Sequence, residues 1–350
     1  MHSLLLYDTW DSMKDMKDLN VPIKVSYSKF GLPGEVLDIE PLSLVKPGRG
    51  EVAIRLLASP INPVDGIIIM GHFSSLPQLP EVPGVEGVGE IYAIGESVDK
   101  SLINKRVRMP QESGAWRDSV TAKVDELMFV SNDVDLKMAS MAFINPPTAW
   151  GLLHNYVALK PGDWIVQNAA NSGVGICVIQ LAKHFGFKTI NIVRDLSWEK
   201  PLMEMGADVV LKEGSEWYKD PKYMSTAKLA LNPVGGTSIA ELINLLAPNG
   251  VHVSYGGLSS EPSIVPVFDL MVKNITMNGF ILFNYFASLP QKAVQDIMDN
   301  LFDFMKKGII DIPVEKTYLL QDVKKAIAHA EGYHRKGKIL LISNWSPPTE

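Results

Sequence analysis

Trp164-Ile165-Val166-Gln167-Asn168-Ala169-Ala170-Asn171-Ser172-Gly173-Val174-Gly175 decides the fold. Its first residues are a short apolar strand and its last a glycine-bearing turn. Residues 176–185 continue as an apolar helix that stops at Gly186, a residue suited to a helix C-terminus. Lys188-Thr189-Ile190-Asn191-Ile192-Val193 is the next strand. Strand, glycine turn, helix and strand in that order form a βαβ unit, which predicts an α/β fold with a doubly wound parallel sheet.

The turn departs from the usual G-x-G-x-x-G by holding Ala170, Ser172 and Gly175 at the three positions, with Gly173 added. Gly173 and Gly175 let backbone and helix approach closely, and the helix start turns free N–H groups and a positive dipole end toward a pyrophosphate. A purely structural turn is the alternative reading. The residue after the second strand selects the cofactor. An acid there would bond the 2′-hydroxyl of NAD, whereas the residue present is Arg194, followed by Asp195. A planar guanidinium suits a 2′-phosphate, so NADPH is expected. A solvated Arg194 paired with Asp195 or Glu199 is the alternative.

Outward from this unit the alternation continues, with strands at 208–211, 227–232, 250–255 and 275–283, a helix at 238–246, and a long amphipathic helix from Pro290 to Lys307. The half before Asn145 has another texture. Short β runs such as Gly50-Glu51-Val52-Ala53-Ile54-Arg55-Leu56 are punctuated by proline and glycine, which predicts a mostly β domain. The expected organisation is a mostly β domain over 1–146, a dinucleotide-binding domain over 147–290, and a return to the first domain over 291–350. The 350 residues are 46% hydrophobic with a net charge of −6 and no dense Lys/Arg block. Such a chain has no footprint for nucleic acid or an anionic membrane, and a small-molecule substrate fits it better. No apolar run is long enough to span a bilayer. A single cysteine, Cys177, allows neither an internal disulfide nor a cysteine-rich metal site. Met1 to Trp10 lacks the pattern of a signal or transit peptide, which points to the cytoplasm unless a presequence has been removed.

The turn Gln167 to Gly175 resembles that of the mitochondrial 2-enoyl thioester reductases, zinc-free members of the medium-chain dehydrogenase/reductase class related to quinone oxidoreductases. So do Thr189 to Asp195, Leu229-Ala230-Leu231-Asn232-Pro233-Val234-Gly235-Gly236 and Ser254-Tyr255-Gly256-Gly257. Pro60-Ile61-Asn62-Pro63-Val64-Asp65 and Asn145-Pro146-Pro147-Thr148-Ala149 match as well, and the likeness runs from about residue 22 to the C-terminus. The resemblance implies a GroES-like catalytic domain with a Rossmann domain inserted in it. It also implies NADPH-dependent reduction of a trans-2-enoyl group on coenzyme A or acyl carrier protein, as in fatty acid synthesis, with hydride going to C3. It further implies a homodimer joined edge to edge through residues 275–283, and a mitochondrial location. By carry-over, Asn145, Asn171, Ser172, Gly173, Val174, Gly175, Arg194, Asp195, Tyr255, Gly256, Gly257, Leu258, Phe283 and Lys338 would surround the cofactor.

Two departures bear on the chemistry. Zinc members of the class carry a histidine ligand in the second glycine run, where this chain reads Pro83-Gly84-Val85-Glu86-Gly87, so no metal is expected. The family's catalytic Tyr follows in a Gly-x-Tyr setting, and here Gly71-His72-Phe73 keeps the ring without the hydroxyl. His72 is an adjacent proton donor near neutral pH, while Asn62 and Thr148 are substrate-positioning candidates. Phe73 leaves open reduction of a quinone or alkenal, or a weakened enzyme.

Overall fold

The computed structural model describes residues 20–348 other than 74, 260 and 333, so Met1 to Trp10 lies outside the described residues. The chain divides into two compact units, the described part of Met1–Phe143 with Pro313–Glu350, and Ile144–Ile312.

In the first unit, β1 (Ile23–Ser26) and β2 (Asp38–Pro41) form a hairpin-like pair. A seven-stranded sheet is built from β3 (Glu51–Pro60), β4 (Val88–Ile94), β5 (Arg106–Arg108), β6 (Ser119–Lys123) and β7 (Phe129–Val130), with two strands from the tail. β3 organises it because it is long enough to pair twice along one edge. Residues 51–55 face β6 and residues 58–60 face the chain's last strand, while the other edge carries β4. Val52, Ile54 and Leu56 of β3 are buried with Ile91, Met109 and Trp116, which places the core on that strand.

The second unit is a parallel six-stranded sheet. Its strands are β8 (Trp164–Gln167), β9 (Lys188–Val193), β10 (Val209–Lys212), β11 (Ala227–Asn232), β12 (Leu246–Ser254) and β13 (Thr276–Gly279), in the order β10-β9-β8-β11-β12-β13. The order reverses at β8, so the crevice expected to take a ligand lies at the carboxyl end of β8, between β9 and β11. The helix Gly173–Phe185 leaves from that end and stops at Gly186 in the left-handed region. The helix Asn145–His154 begins before Thr148, because Pro146 and Pro147 sit in its first turn, where no N–H bond is required.

Two expectations are corrected. The strand at 275–283 ends at Gly279, and Phe283 lies in the helix Leu282–Ala287. Beyond Ser254 β12 has no residue left to pair, so the ladder closes with the Phe280 N–H on Ser254. The return to the first unit comes at Pro313 rather than 291, because the helix Gln291–Lys306 packs within the second unit, its Phe304 ring against His184 (4.7 Å) and Trp150 (6.4 Å). The tail then adds β14 (Val314–Leu319) and β15 (Lys338–Ile342) to the first sheet, β15 parallel to β14 and antiparallel to β3.

Leu341 is fully buried where β15 meets β3. Leu341→Ala is expected to cost about 2–5 kcal/mol, read as a lower urea midpoint for the first unit's unfolding transition. An unchanged midpoint would mean that the tail does not hold that sheet together.

Candidate functional site

The first unit's polar residues converge where β3 ends. Pro63 opens the helix Pro63–Ile69, and Asp65 in its first turn accepts from the N–H of Asn62 (2.7 Å) and of Val85 (2.9 Å). The Asn62 side chain makes two side-chain contacts of its own. Its Nδ2 donates to Glu86 Oε1 (2.8 Å) and its Oδ1 accepts from the Lys338 ammonium. Glu86 Oε2 accepts from the N–H of Phe143 (3.1 Å). Ile61 donates its N–H to the Ile339 carbonyl (3.0 Å), so the β3–β15 pairing itself delivers Lys338 to Asn62 across 276 residues. Gly84 fixes the loop that carries Glu86. Its φ is +106°, and a Cβ there would stand 2.5 Å from the Trp116 ring.

Glu86 is 1% exposed and Lys338 6%. Burial drives the Glu86 carboxyl up to about 7, against the pull of Lys338, the Asn62 and Phe143 hydrogen bonds and Arg108. Burial likewise lifts Asp65 to about 6, against its two backbone donors and Lys338. Arg108, half-buried and within the field of Glu86, lies over the Phe143 ring at 5.2 Å. This is a cluster of two carboxyls and two cations, as buried charge requires.

His72 is exposed and Phe73 half-buried, just past the end of the Pro63–Ile69 helix. Thr148 and Asn145 are buried in the helix Asn145–His154 of the second unit. Lys338, expected beside the cofactor, is bonded to Asn62 in the first unit. Glu86 was not anticipated as a partner of Asn62, although a carboxylate between two glycines in an apolar run was a signal of a buried acid.

In the second unit, Ser172 caps the helix by accepting the Gly175 N–H (3.1 Å). Gly175 is required there, since a Cβ would stand 2.5 Å from the Ala170 carbonyl oxygen. Asn171, Ser172, Gly173 and Val174 remain half-buried at the helix start, where backbone donors lack partners within the helix. Buried amides brace the turn from below. Gln167 donates to the Gly175 carbonyl (2.9 Å) and to Asn191 (2.8 Å), while Asn168 donates to Asn232 (3.1 Å) and Ser238 (3.0 Å). Asn232 in turn accepts from the N–H groups of Val234 and Gly235, both at 2.9 Å. His252, fully buried below Asn232, has its pKa pushed down to about 4 by burial. The residues read from the sequence as a turn thus include a hydrogen-bonded floor whose roles were not anticipated.

Arg194 is exposed at the end of β9, and Asp195 caps the following turn through the Ser197 N–H (2.8 Å) and hydroxyl (2.7 Å). Burial raises the Tyr255 hydroxyl, which lies beside Ser172. Gly256, Gly257 and Leu258 are exposed in the loop that follows, and Phe283 is half-buried in its helix. A cleft of about 730 Å³ opens beside these strand ends, lined by Gly235, Gly236, Ser238, Glu213 and Glu241 among others. Among the described residues no group of three or more His, Cys, Asp or Glu side chains is placed to hold a metal.

Family models confirm both parts: the alcohol dehydrogenase GroES-like domain matches residues 48–168, and the zinc-binding dehydrogenase model matches residues 173–301. A GroES-like unit split by a Rossmann unit defines a medium-chain dehydrogenase/reductase. The mitochondrial enoyl-[acyl-carrier-protein] reductase of Dictyostelium discoideum is 37% identical over 330 residues, which cover 91% of this chain and 93% of that protein. The chain belongs to the family of mitochondrial enoyl-[acyl-carrier-protein] reductases. Among solved structures, a putative NADPH:quinone reductase from Bacillus thuringiensis superimposes with a TM-score of 0.84 at 28% identity, covering 92% of this chain and 99% of that one. The Etr1p complex with NADP and crotonyl-CoA superimposes with a TM-score of 0.83 at 25% identity and the same coverage.

The Glu86 shift has a signed consequence. Its pKa is raised from 4.5 to about 7 in the folded protein, so the native state holds a proton that the unfolded chain releases. This contribution to stability is fully present below 4.5 and is lost as the pH rises through 7. His252 acts in the opposite sense, since its folded pKa is depressed, and comparison with a variant cancels it. The stability of Glu86→Gln relative to the wild-type protein is expected to rise between pH 5 and pH 8, measured by urea unfolding at both. A difference that does not change with pH would contradict the assignment.

Proposed function

We propose that this protein reduces trans-2-enoyl thioesters, carried on coenzyme A or acyl carrier protein, using NADPH. The observation that carries the reading is the capped Asn171-Ser172-Gly173-Val174-Gly175 turn, in which no Cβ fits at Gly175, with the exposed Arg194 guanidinium at the end of the neighbouring strand. The backbone at the helix start suits a pyrophosphate and Arg194 a 2′-phosphate. Asn145, Asp195, Tyr255, Gly256, Gly257, Leu258 and Phe283 complete the proposed cofactor surroundings. The acidic wall of the neighbouring cleft, Glu213 and Glu241, suits uncharged parts of the dinucleotide rather than its phosphates. When bound, NADPH supplies the hydride that C3 of the enoyl group accepts. The chain must then stabilise negative charge on the thioester oxygen and provide a route for a proton to C2. Asn62 and Thr148 are the polar groups assigned to substrate positioning, and His72 is the exposed donor nearest to Phe73 in sequence. No metal is assigned a role, since Val85 stands where zinc members carry a ligand histidine.

A second reading, reduction of a quinone, is favoured by Phe73 together with the likeness to the Bacillus thuringiensis protein. A quinone takes a hydride without a placed hydroxyl acid. Restoring that acid separates the readings. Phe73→Tyr is expected to raise kcat/KM for crotonyl-CoA by about 10²–10⁴-fold, the usual contribution of a positioned acid, and to leave quinone turnover unchanged. No gain with the thioester, beside steady quinone turnover, would favour the second reading.

Two copies are assigned to pair through β13, an edge strand of the six-stranded sheet. The helix Val267–Lys273 beside it exposes Phe268 (74%) and Met271 (70%), with Val267, Val272, Met277 and Ile281 also exposed. Exposed apolar groups in that number next to an unpaired strand edge suit a second copy. Sedimentation is expected to give a dimer for the wild-type protein and a monomer for Phe268→Glu combined with Met271→Glu. A wild-type monomer would contradict this. The compartment follows the mitochondrial relatives.

A further inference from the structure

Asn232 ends β11 in the second unit, and its carboxamide organises the loops at the strand ends. Its Oδ1 accepts from the N–H groups of Val234 and Gly235, both at 2.9 Å, and from Asn168 Nδ2 (3.1 Å). The turn held in this way carries the loop that follows β12. The Leu258 N–H donates to the Pro233 carbonyl and the Ser259 N–H to that of Val234, both at 3.0 Å, and the Ile264 N–H to that of Gly236 at 3.2 Å. Gly256 is pinned against the same turn, since a Cβ there would stand 2.7 Å from the Pro233 carbonyl oxygen. Val234, Gly235, Gly236, Ser259 and Ile264 all line the cleft of about 730 Å³.

His252 lies on the neighbouring strand β12, fully buried. Its Nε2 stands 3.4 Å from Asn232 Nδ2, a long hydrogen bond and the only one that Nδ2 makes among the described residues. Polarity decides which ring atom carries the proton. Backbone N–H groups only donate, so the Asn232 end that faces Val234 and Gly235 must be the oxygen. The end that faces His252 is then the amide nitrogen, also a donor, and Nε2 must offer a lone pair. A neutral ring with its proton on Nδ1 follows. Nδ1 itself is buried without a partner among the described residues, so the tautomer is chosen from the Nε2 side alone. Burial keeps the ring neutral, with its pKa down at about 4. The other tautomer would set two donors face to face, and a turned carboxamide would set its nitrogen against the Val234 and Gly235 N–H groups.

We propose that His252, as the Nδ1–H tautomer, is a positioning residue for NADPH: through Asn232 it fixes the turn at 233–236 and the loop at 256–258 that the cofactor is bound against. The assignment rests on the reading of the second unit as the NADPH site. What it requires is one acceptor atom at the Nε2 position. Glutamine can place its Oε1 there, whereas leucine fills the space without an acceptor.

The test compares the wild-type protein, His252→Gln and His252→Leu by fluorescence titration with NADPH, by urea unfolding and by nitrogen NMR of isotope-labelled histidine. The His252 signals are identified by their loss in either variant. In the wild-type protein they are expected to show a protonated Nδ1 and an unprotonated Nε2, unchanged between pH 5 and pH 8, well above the folded pKa of about 4. His252→Leu is expected to bind NADPH about three- to tenfold more weakly, the scale of one hydrogen bond, and His252→Gln to stay within about twofold of wild type. Stability is expected to run otherwise. Glutamine brings an amide nitrogen into an apolar site without an acceptor, so His252→Gln unfolds no later in urea than His252→Leu. NADPH affinities that follow the unfolding midpoints would make the histidine merely structural and overturn the assignment alone, as would a His252 proton on Nε2. A wild-type protein that does not bind NADPH would overturn the assignment and the reading of the site together.

Discussion

Burying charge is costly unless each charge finds its opposite, and in this protein that constraint ties the end of the chain to its beginning. Asp65 and Glu86 lie deep in the first unit, one after the β3 strand and one in a glycine-flanked loop. The Lys338 ammonium that helps to balance them arrives on β15, which pairs with the last residues of β3. The sheet register thus determines where the ammonium falls, and the Asn62 carboxamide determines what it can bond. An insertion of one residue in β15 would turn Lys338 to the other face and leave the two carboxyls without it.

The second unit obeys the same rule with neutral groups. Parallel strands bury their carboxyl ends, and polar side chains there must be satisfied among themselves. Gln167, Asn168, Asn191, Asn232 and Ser238 bond to one another through their donors, although the Gln167 Oε1 and Asn168 Oδ1 atoms are buried without a partner. The result is a stiff floor under the turn, from which Ser172 and Gly175 shape the start of the helix. Stiffness matters because a dinucleotide is bound by backbone donors that must already stand in place.

The βαβ unit was plain in the sequence because its signals are local: a run of apolar residues, a turn with glycines, and a helix of fixed period. Family membership was legible for a related reason, since the motifs from Asn62 to Gly257 are contiguous strings. What escaped was long-range. Nothing near Lys338 in sequence announces Asn62, 276 residues away, and a short apolar strand such as β15 does not reveal which sheet it joins. The strand ending at Gly279 was over-extended because apolar residues continue to Phe283, while pairing stops where β12 runs out of partners. The helix Gln291–Lys306 is amphipathic on its own evidence, and its pattern does not say which unit receives its apolar face.

Phe73 is where the family pattern and this chain part, and the chemistry of the account turns on it. A phenyl ring at this position has no proton to donate. Hydride delivery to C3 asks nothing of the family's tyrosine hydroxyl, whereas completion of the reaction asks for charge stabilisation on the thioester oxygen. The most direct measurement is therefore isotopic. The protein would be given NADPH carrying deuterium at the transferred C4 position and crotonyl-CoA, and the product examined by mass spectrometry and NMR. The account predicts butyryl-CoA with deuterium at C3 and solvent hydrogen at C2. Crotonyl-CoA recovered unreduced, while the same NADPH is oxidised by a quinone, would contradict it.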